Sequence, residues 1–193
     1  MKRRTWVTVT PIVATLLLAG EARATMMLEL NTTQLTQQAR TVQVGKVTSS
    51  WSSWDSGKRM IFTYVKLKVD QTIKGQPQSE VMFRMPGGRT GGIGMVVHGM
   101  ASFHPGERAL VFLQQDSDGA PSLVGMAQGK FQIYRSAVTG EDMAVFRAPK
   151  NLEFYTRGTR GAALHVVNTP TEKRVLLRDL IGEIQAAART ETP

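Results

Sequence analysis

No cysteine occurs anywhere in the chain. That excludes disulfides, thiolate zinc sites, a cysteine nucleophile and a lipid-modified cysteine. Histidine is scarce, with only His98, His104 and His165. The spacing of His98 and His104 matches no zinc motif, HExxH is absent, and His104 with Glu107 offers only two ligands. GxSxG is also absent, so no local motif orients a serine nucleophile. The glycine run from Met85 to Gly94 does not end in Gly-Lys-Ser/Thr. Val97 stands where a dinucleotide fingerprint needs glycine, and no helical pattern follows to hold phosphate. Neither a cofactor nor a metal is therefore expected, and no catalytic residue is assigned. No block of Lys and Arg forms a nucleic-acid arm. Past residue 24, no run is long and apolar enough to cross a membrane.

What is present begins with a leader. Lys2, Arg3 and Arg4 precede an apolar run from Trp6 to Ala19, and Ala22-Arg23-Ala24 has the small-x-small pattern of a signal-peptide cleavage site. The run falls short of the ~20 residues of a spanning helix, which argues against an uncleaved anchor. Cleavage after Ala24 leaves Thr25 as the mature N-terminus and predicts a periplasmic or secreted protein. Net charge then falls from +9 to +6, because four basic residues and one acidic residue leave with the leader. Without cysteine, such a protein relies on its core alone, and 41% apolar residues suffice for one.

The mature chain opens with a helix candidate, Thr33 to Ala39, capped by Asn31 or Thr32. Leu30, Leu35 and Ala39 share its inward side. A period of two follows. Val42 and Val44 alternate with polar residues, and Val47 falls out of phase after Gly45, which predicts a β-bulge. Ser49 to Gly57 reads as a polar loop carrying Trp51 and Trp54, closed by the turn signal Asp55-Ser56-Gly57. Met60 to Ile73 is the longest strand candidate. Ile61, Thr63, Val65, Leu67 and Val69 form one face, and Lys66, Lys68 and Asp70 lie on the other, with Phe62 and Tyr64 near its start. Val81, Phe83 and Met85 alternate again. Pro86 to Gly94 reads as a loop, since glycines support no strand interior. Arg108 to Gln114 is apolar on both faces and reads as a doubly covered central strand. Asp116 to Ala120 turns the chain, and short strand signals recur through Phe146.

About seven short strands at regular turn spacing predict a mainly β domain, a small OB-like barrel over 25–150. Residues 151–170 read as a linker. Residues 171–193 hold an amphipathic helix, Thr171 to Ala188, and a tail. Leu177, Leu180, Ile181, Ile184 and Ala188 form its apolar stripe, Thr169 or Thr171 is its cap, and the stripe covers either its own domain or a partner.

Four runs carry a resemblance: AlaArgThrValGlnValGlyLysVal from residue 39, PheThrTyrValLysLeuLysValAspGlnThrIleLysGly from 62, ProGlyGluArgAlaLeuValPheLeu from 105 and ValGlyMetAlaGlnGlyLysPheGlnIle from 124. In this order, with the glycine loop between the second and third, they resemble a group of bacterial exported proteins with no assigned activity. They also resemble the N-terminal domain of tissue inhibitors of metalloproteinases and netrin-like modules, over roughly Leu30 to Tyr134. The resemblance implies a five-stranded OB-type barrel with helices packed on it. It transfers no inhibitory residue. Those inhibitors place a disulfide-anchored N-terminal cysteine on the protease zinc, and Thr25 stands at the expected N-terminus here.

Two functions follow. The first is a non-enzymatic binding module that engages a protein partner, with a secreted metallopeptidase implied by the resemblance alone. Its contact residues are Trp51, Trp54, Arg89 and Thr90, on the two rim loops. The second is a binder of anionic polymer, polysaccharide or nucleic acid, at the cell surface, through Lys66, Lys68, Arg157 or Arg160 and exposed aromatics. A hydrolase finds no supporting constellation.

Overall fold

The computed structural model describes residues 25–149, 152–157, 164–167 and 172–190. The leader, Arg160, and the predicted caps Thr169 and Thr171 lie outside them. The elements in order are β1 (Thr25–Leu28), α1 (Thr32–Gln38), β2 (Thr41–Trp54), β3 (Ile61–Lys74), β4 (Glu80–Pro86), β5 (Gly88–Thr90), β6 (Ile93–Met95), β7 (Arg108–Gln115), β8 (Pro121–Leu123), β9 (Lys130–Arg135), β10 (Asp142–Arg147), β11 (Leu152–Arg157), β12 (Leu164–Val167), β13 (Glu172–Leu176) and α2 (Leu177–Arg189). The domain is mainly β with a short N-terminal helix and an amphipathic C-terminal helix, as expected.

One large antiparallel sheet runs β13-β10-β9-β7-β2-β3-β4, and β8 pairs with β7 beyond the end of β9. Its outermost strands, β13 and β4, do not pair with each other, so the strands form an open sheet rather than a closed barrel. Side chains complete part of the curl. Arg84 on β4 reaches Asp116 (2.7 Å) and Asp118 (2.5 Å) in the turn between β7 and β8. A second sheet orders β1-β11-β12, with β1 parallel to β11, and β5–β6 form a separate ribbon.

Two cores lie on the two faces of the large sheet. The first gathers Val42, Val44, Leu110, Phe112, Phe131 and Phe146 under α1 and α2. The second gathers Val47, Val65, Leu67, Phe83, Val111 and Leu113 inside the curl. Strand β7 serves both, with Leu110 and Phe112 on one side and Ala109, Val111 and Leu113 on the other. The doubly covered reading of this strand holds for a physical reason: apolar residues at successive positions need burial on both faces.

Helix α1 is held by a capping box. The Asn31 side chain accepts from the Gln34 amide (2.8 Å), and the Gln34 side chain accepts from the Asn31 amide (2.9 Å). In α2, Leu180 and Ile184 are buried in the first core, so the stripe covers its own domain. The buried alanine is Ala187, and Ala188 is only partly covered.

Several expectations are corrected. The register of β2 with β3 slips at Val44/Gly45, leaving Asp70 unmatched between Gln71 and Val69. A bulge is therefore present, but its extra residue lies on β3. Val47 changes phase because it faces the second core while Val42 and Val44 face the first. The stretch from Ser49 to Trp54 is strand, because backbone pairing to Ile61–Lys66 continues through the serines. Pro86 to Gly94 contains the β5 strand and the turn into β6, with Gly91 and Gly92 at φ of +57° and +79°. Glu172–Leu176 is the strand β13, paired to β10, so the helix starts at Leu177 with no side-chain cap. Within 151–170, read as a linker, the described residues carry β11 and β12.

Candidate binding surface

Strand β7 pairs with β2 only from Thr41 to Lys46, whereas β3 follows β2 to Trp54. The distal half of the β2–β3 hairpin thus extends past β7. Its inner face, with Val47, Val65 and Leu67, covers the second core. By alternation its outer face carries Lys46, Ser49, Trp51 and Ser53 on β2, then Phe62, Tyr64, Lys66 and Lys68 on β3.

This outer face has an uncommon charge arrangement. Lys46 is the register partner of Lys68 on one side and of Arg108 on the other. Three cations therefore stand in a row across three strands. Arg108 is compensated by Asp142 (2.9 Å) and more distantly by Asp70 (3.7 Å). Among the described residues, no acidic side chain pairs with Lys46 or Lys68. Glu80 lies opposite Lys68 in register, yet its carboxylate is on Lys66 at 2.9 Å. Like charges directly opposite each other destabilise a sheet.

Beside this row sits an aromatic pair. Trp51 and Tyr64 are register partners whose rings stack at 5.6 Å with an interplanar angle of 17°. Trp51 is 43% exposed. The guanidinium of Arg84 covers Phe62 at 4.3 Å and is neutralised by Asp116 and Asp118. Burial raises the Asp116 carboxyl, but the hydrogen bonds from Arg84, Ala120 and Asp118 outweigh it and hold the group below the ordinary carboxylate value. At the distal turn, Asp55 accepts from the amides of Met60 (3.1 Å) and Arg59 (2.6 Å), and these bonds hold it below its ordinary value too.

The four predicted contact residues do not share one face. Trp51 lies on the outer face, whereas Trp54, partner of Ile61, falls on the inner side by alternation. Arg89 and Thr90 lie on β5, paired to Gly94 and Ile93. The ribbon docks on the inner side. The Gly87 amide donates to Ile61 carbonyl (2.8 Å), and Thr63 Oγ1 donates to Gly87 carbonyl (2.8 Å). A Cβ at Gly88 would lie 2.3 Å from Ser52 Oγ, so only glycine permits this approach. Trp54, Arg89 and Thr90 are therefore on one side of the sheet and Trp51 on the other.

Of the predicted polymer contacts, Lys66 and Lys68 are on the outer face, whereas Arg157 ends β11 in the smaller sheet. The sequence reading missed Lys46 and Arg108, and it placed Tyr64 on the face of Lys66 and Lys68 without naming it as a contact. The alternation of Tyr64 with Thr63 and Val65 was a signal for an outward aromatic, but the row of cations depends on register. Among the described residues, no group of three or more His, Asp or Glu side chains is placed to hold a metal, and no helix is long and apolar enough to cross a membrane. No protein-family model, no curated protein and no solved structure matches the chain.

Proposed function

We propose that the chain is an exported, non-enzymatic binding module that holds an anionic polysaccharide against the outer face of the β2–β3 hairpin. The observation that carries this reading is the Arg108–Lys46–Lys68 row beside the exposed Trp51–Tyr64 stack. Lys46 and Lys68, with no acidic partner among the described residues, supply long-range attraction to a polyanion. A flat aromatic surface takes the apolar face of a sugar ring, and the neighbouring Ser49 and Ser53 offer hydroxyls to the ring substituents. Export rests on the pattern of residues 1–24.

The test is a titration with heparin and polygalacturonate, followed by tryptophan fluorescence at several salt concentrations. Binding is expected to weaken steeply with salt, and Trp51→Ala is expected to cost about 1–3 kcal/mol, the value of a base–aromatic stack taken as an analogue. Binding that ignores salt, or survives Trp51→Ala unchanged, removes this reading. Tighter binding to single-stranded DNA than to either polysaccharide reassigns the polymer.

A second reading places a protein partner, a secreted metallopeptidase by resemblance, on the ribbon side. Its support is exposed apolar surface. Ile93 is 54% exposed and Val96 80% exposed, next to Arg89. Capture of one protein that survives high salt, and its loss in Arg89→Ala with Ile93→Asp, is the expected outcome there. Retention by that double variant rejects the ribbon.

A further inference from the structure

Strands β9 and β10 turn a polar surface away from the first core. Phe131, Ile133 and Phe146 enter that core, so Lys130, Gln132 and Arg147 alternate to the opposite side. The segment from Gly99 to Glu107 passes over this polar floor, and the Ala127 amide bonds to the Gly99 carbonyl (3.0 Å). Between them is a cavity of about 520 Å³, within the range that holds small molecules.

The floor is an ordered network. Lys130 Nζ donates to Glu107 Oε1 (2.7 Å) and to the Ser102 carbonyl, and it stands 4.3 Å from the Phe103 ring centre. The two charged side chains are nearly covered, at 12% and 9% exposure. Gln132 Oε1 accepts from Arg147 Nη1 (3.0 Å) and from the Tyr134 hydroxyl. Arg147 also donates to the Tyr134 oxygen (2.6 Å) and to Glu172 (2.8 Å). Glu172 is shared with Arg174.

A covered ion pair contributes little to stability compared with apolar residues of the same volume. Its retention beside an open cavity needs another reason. The cavity lining carries Lys130, engaged by Glu107, and Arg147, engaged by Glu172, which Arg174 shares, so the network of three cations and two carboxylates keeps one net positive charge. Met100, Ala127 and Val145 give the cavity an apolar part of its wall. Cationic floor and apolar wall define a matching ligand: one anionic head and one apolar body.

We propose that this cavity binds a small organic anion, its carboxylate or phosphate head on Lys130 and Arg147 and its apolar body against Met100, Ala127 and Val145. The site lies apart from the polysaccharide surface and stands or falls independently of it.

The experiment titrates the purified protein with phenyl phosphate and with benzoate, using inorganic phosphate as the charge alone and benzyl alcohol as the ring alone. Calorimetry gives affinity, and amide shifts in two-dimensional NMR give location. One or both aromatic anions are expected to saturate a single site, with shifts concentrated at Ser102–Glu107 and Lys130–Gln132. The tighter of the two identifies the head. Each half-probe is expected to bind at least about tenfold more weakly, since a charge-assisted hydrogen bond is worth about that factor. The paired variant Lys130→Gln with Glu107→Gln removes both charges and keeps hydrogen-bonding groups. It is expected to lose about tenfold or more in anion affinity. Where that variant does not fold, Arg147→Gln carries the same expectation. Trp51→Ala is expected to change nothing here. The proposal is overturned by absence of saturation, by shifts mapping elsewhere, by inorganic phosphate binding as tightly as phenyl phosphate, or by undiminished affinity in the folded variant.

Discussion

Replacing Lys46 by glutamate separates a structural charge from a binding charge. Lys46 stands between Lys68 and Arg108, so the wild-type row contains two like-charge neighbours across strands. Each such pair opposes folding by a few tenths to about 1 kcal/mol, and an opposite pair favours it by a similar amount. Lys46→Glu converts both. The expected gain is about 1–2 kcal/mol at low salt, shrinking as the Debye length contracts toward about 8 Å at physiological ionic strength. Asp70, near Arg108 at 3.7 Å, trims the gain because it faces the same guanidinium. Binding moves the other way. One cation is lost and one anion added at the centre of the row, so polysaccharide affinity is expected to fall and the salt dependence to flatten by about one released counterion or more. The assay is urea unfolding at two salt concentrations beside heparin titration. A more stable protein that no longer binds supports a row kept for its ligand. Loss of stability, or unchanged heparin affinity, refutes the reasoning, because either result means that the repulsion or the contact does not exist in solution.

Other consequences are independent of the ligand. Gln43 is fully buried, and neither amide atom has a hydrogen-bond partner among the described residues. Gln43→Met, close in volume, is expected to raise stability by about 1 kcal/mol or more, the relief of an unmet amide less a small repacking cost; a lower urea midpoint contradicts this. At Gly45 an added Cβ would lie 2.2 Å from the Lys68 carbonyl oxygen, so Gly45→Ala is expected to cost about 1–3 kcal/mol in the same assay. Asp142 is held below its ordinary value of 3.8 first by its hydrogen bond from Arg108, against opposing burial. A depressed folded-state value means stability that is present above the ordinary value and lost as pH falls below it. The urea midpoint is therefore expected to drop on acidification below that value, and less so in Asp142→Asn. A midpoint unaffected by either change contradicts the pairing.

Much of the fold was legible because half-buried strands alternate and doubly buried strands do not. Ile61, Val65 and Leu67 declare one face, and Ala109 to Leu113 declares two. The Asn31 cap was readable because its partners lie within one turn. Ser49 to Trp54 was not readable as strand. Backbone pairing holds it there, and serines carry no hydrophobic signal for that pairing. Val175 and Leu176 fit the helical stripe and the strand equally well, and only pairing to β10 decides between them. Trp51 and Trp54 were visible as exposed-aromatic candidates, yet their separation onto two faces follows from strand periodicity once the loop reading is dropped. The basic row was beyond the sequence. Lys46, Lys68 and Arg108 are up to 62 residues apart in number, and the β2–β3 register that aligns the first two slips between Val42 and Gln43, between Val44 and Gly45, and between Val47 and Ser49. A one-residue error at any slip exchanges the faces.

The same geometry explains how the chain tolerates an unfavourable charge row. Its stability is concentrated where β2 runs between β7 and β3, with Val42 and Val44 under the helices and β7 buried on both faces. The distal hairpin adds only its inner face to the second core. Residues on its outer face contribute little apolar burial, so Lys46, Lys68 and Trp51 can be chosen for what they bind at a cost of about 1 kcal/mol rather than several. This division has a consequence for variants. Substitutions on the outer distal face should change binding with small effects on folding, whereas the same residue types introduced at Leu110 or Phe112 should unfold the domain. A library scored for both properties would show the two classes separating at the point where β7 stops pairing with β2, at Lys46.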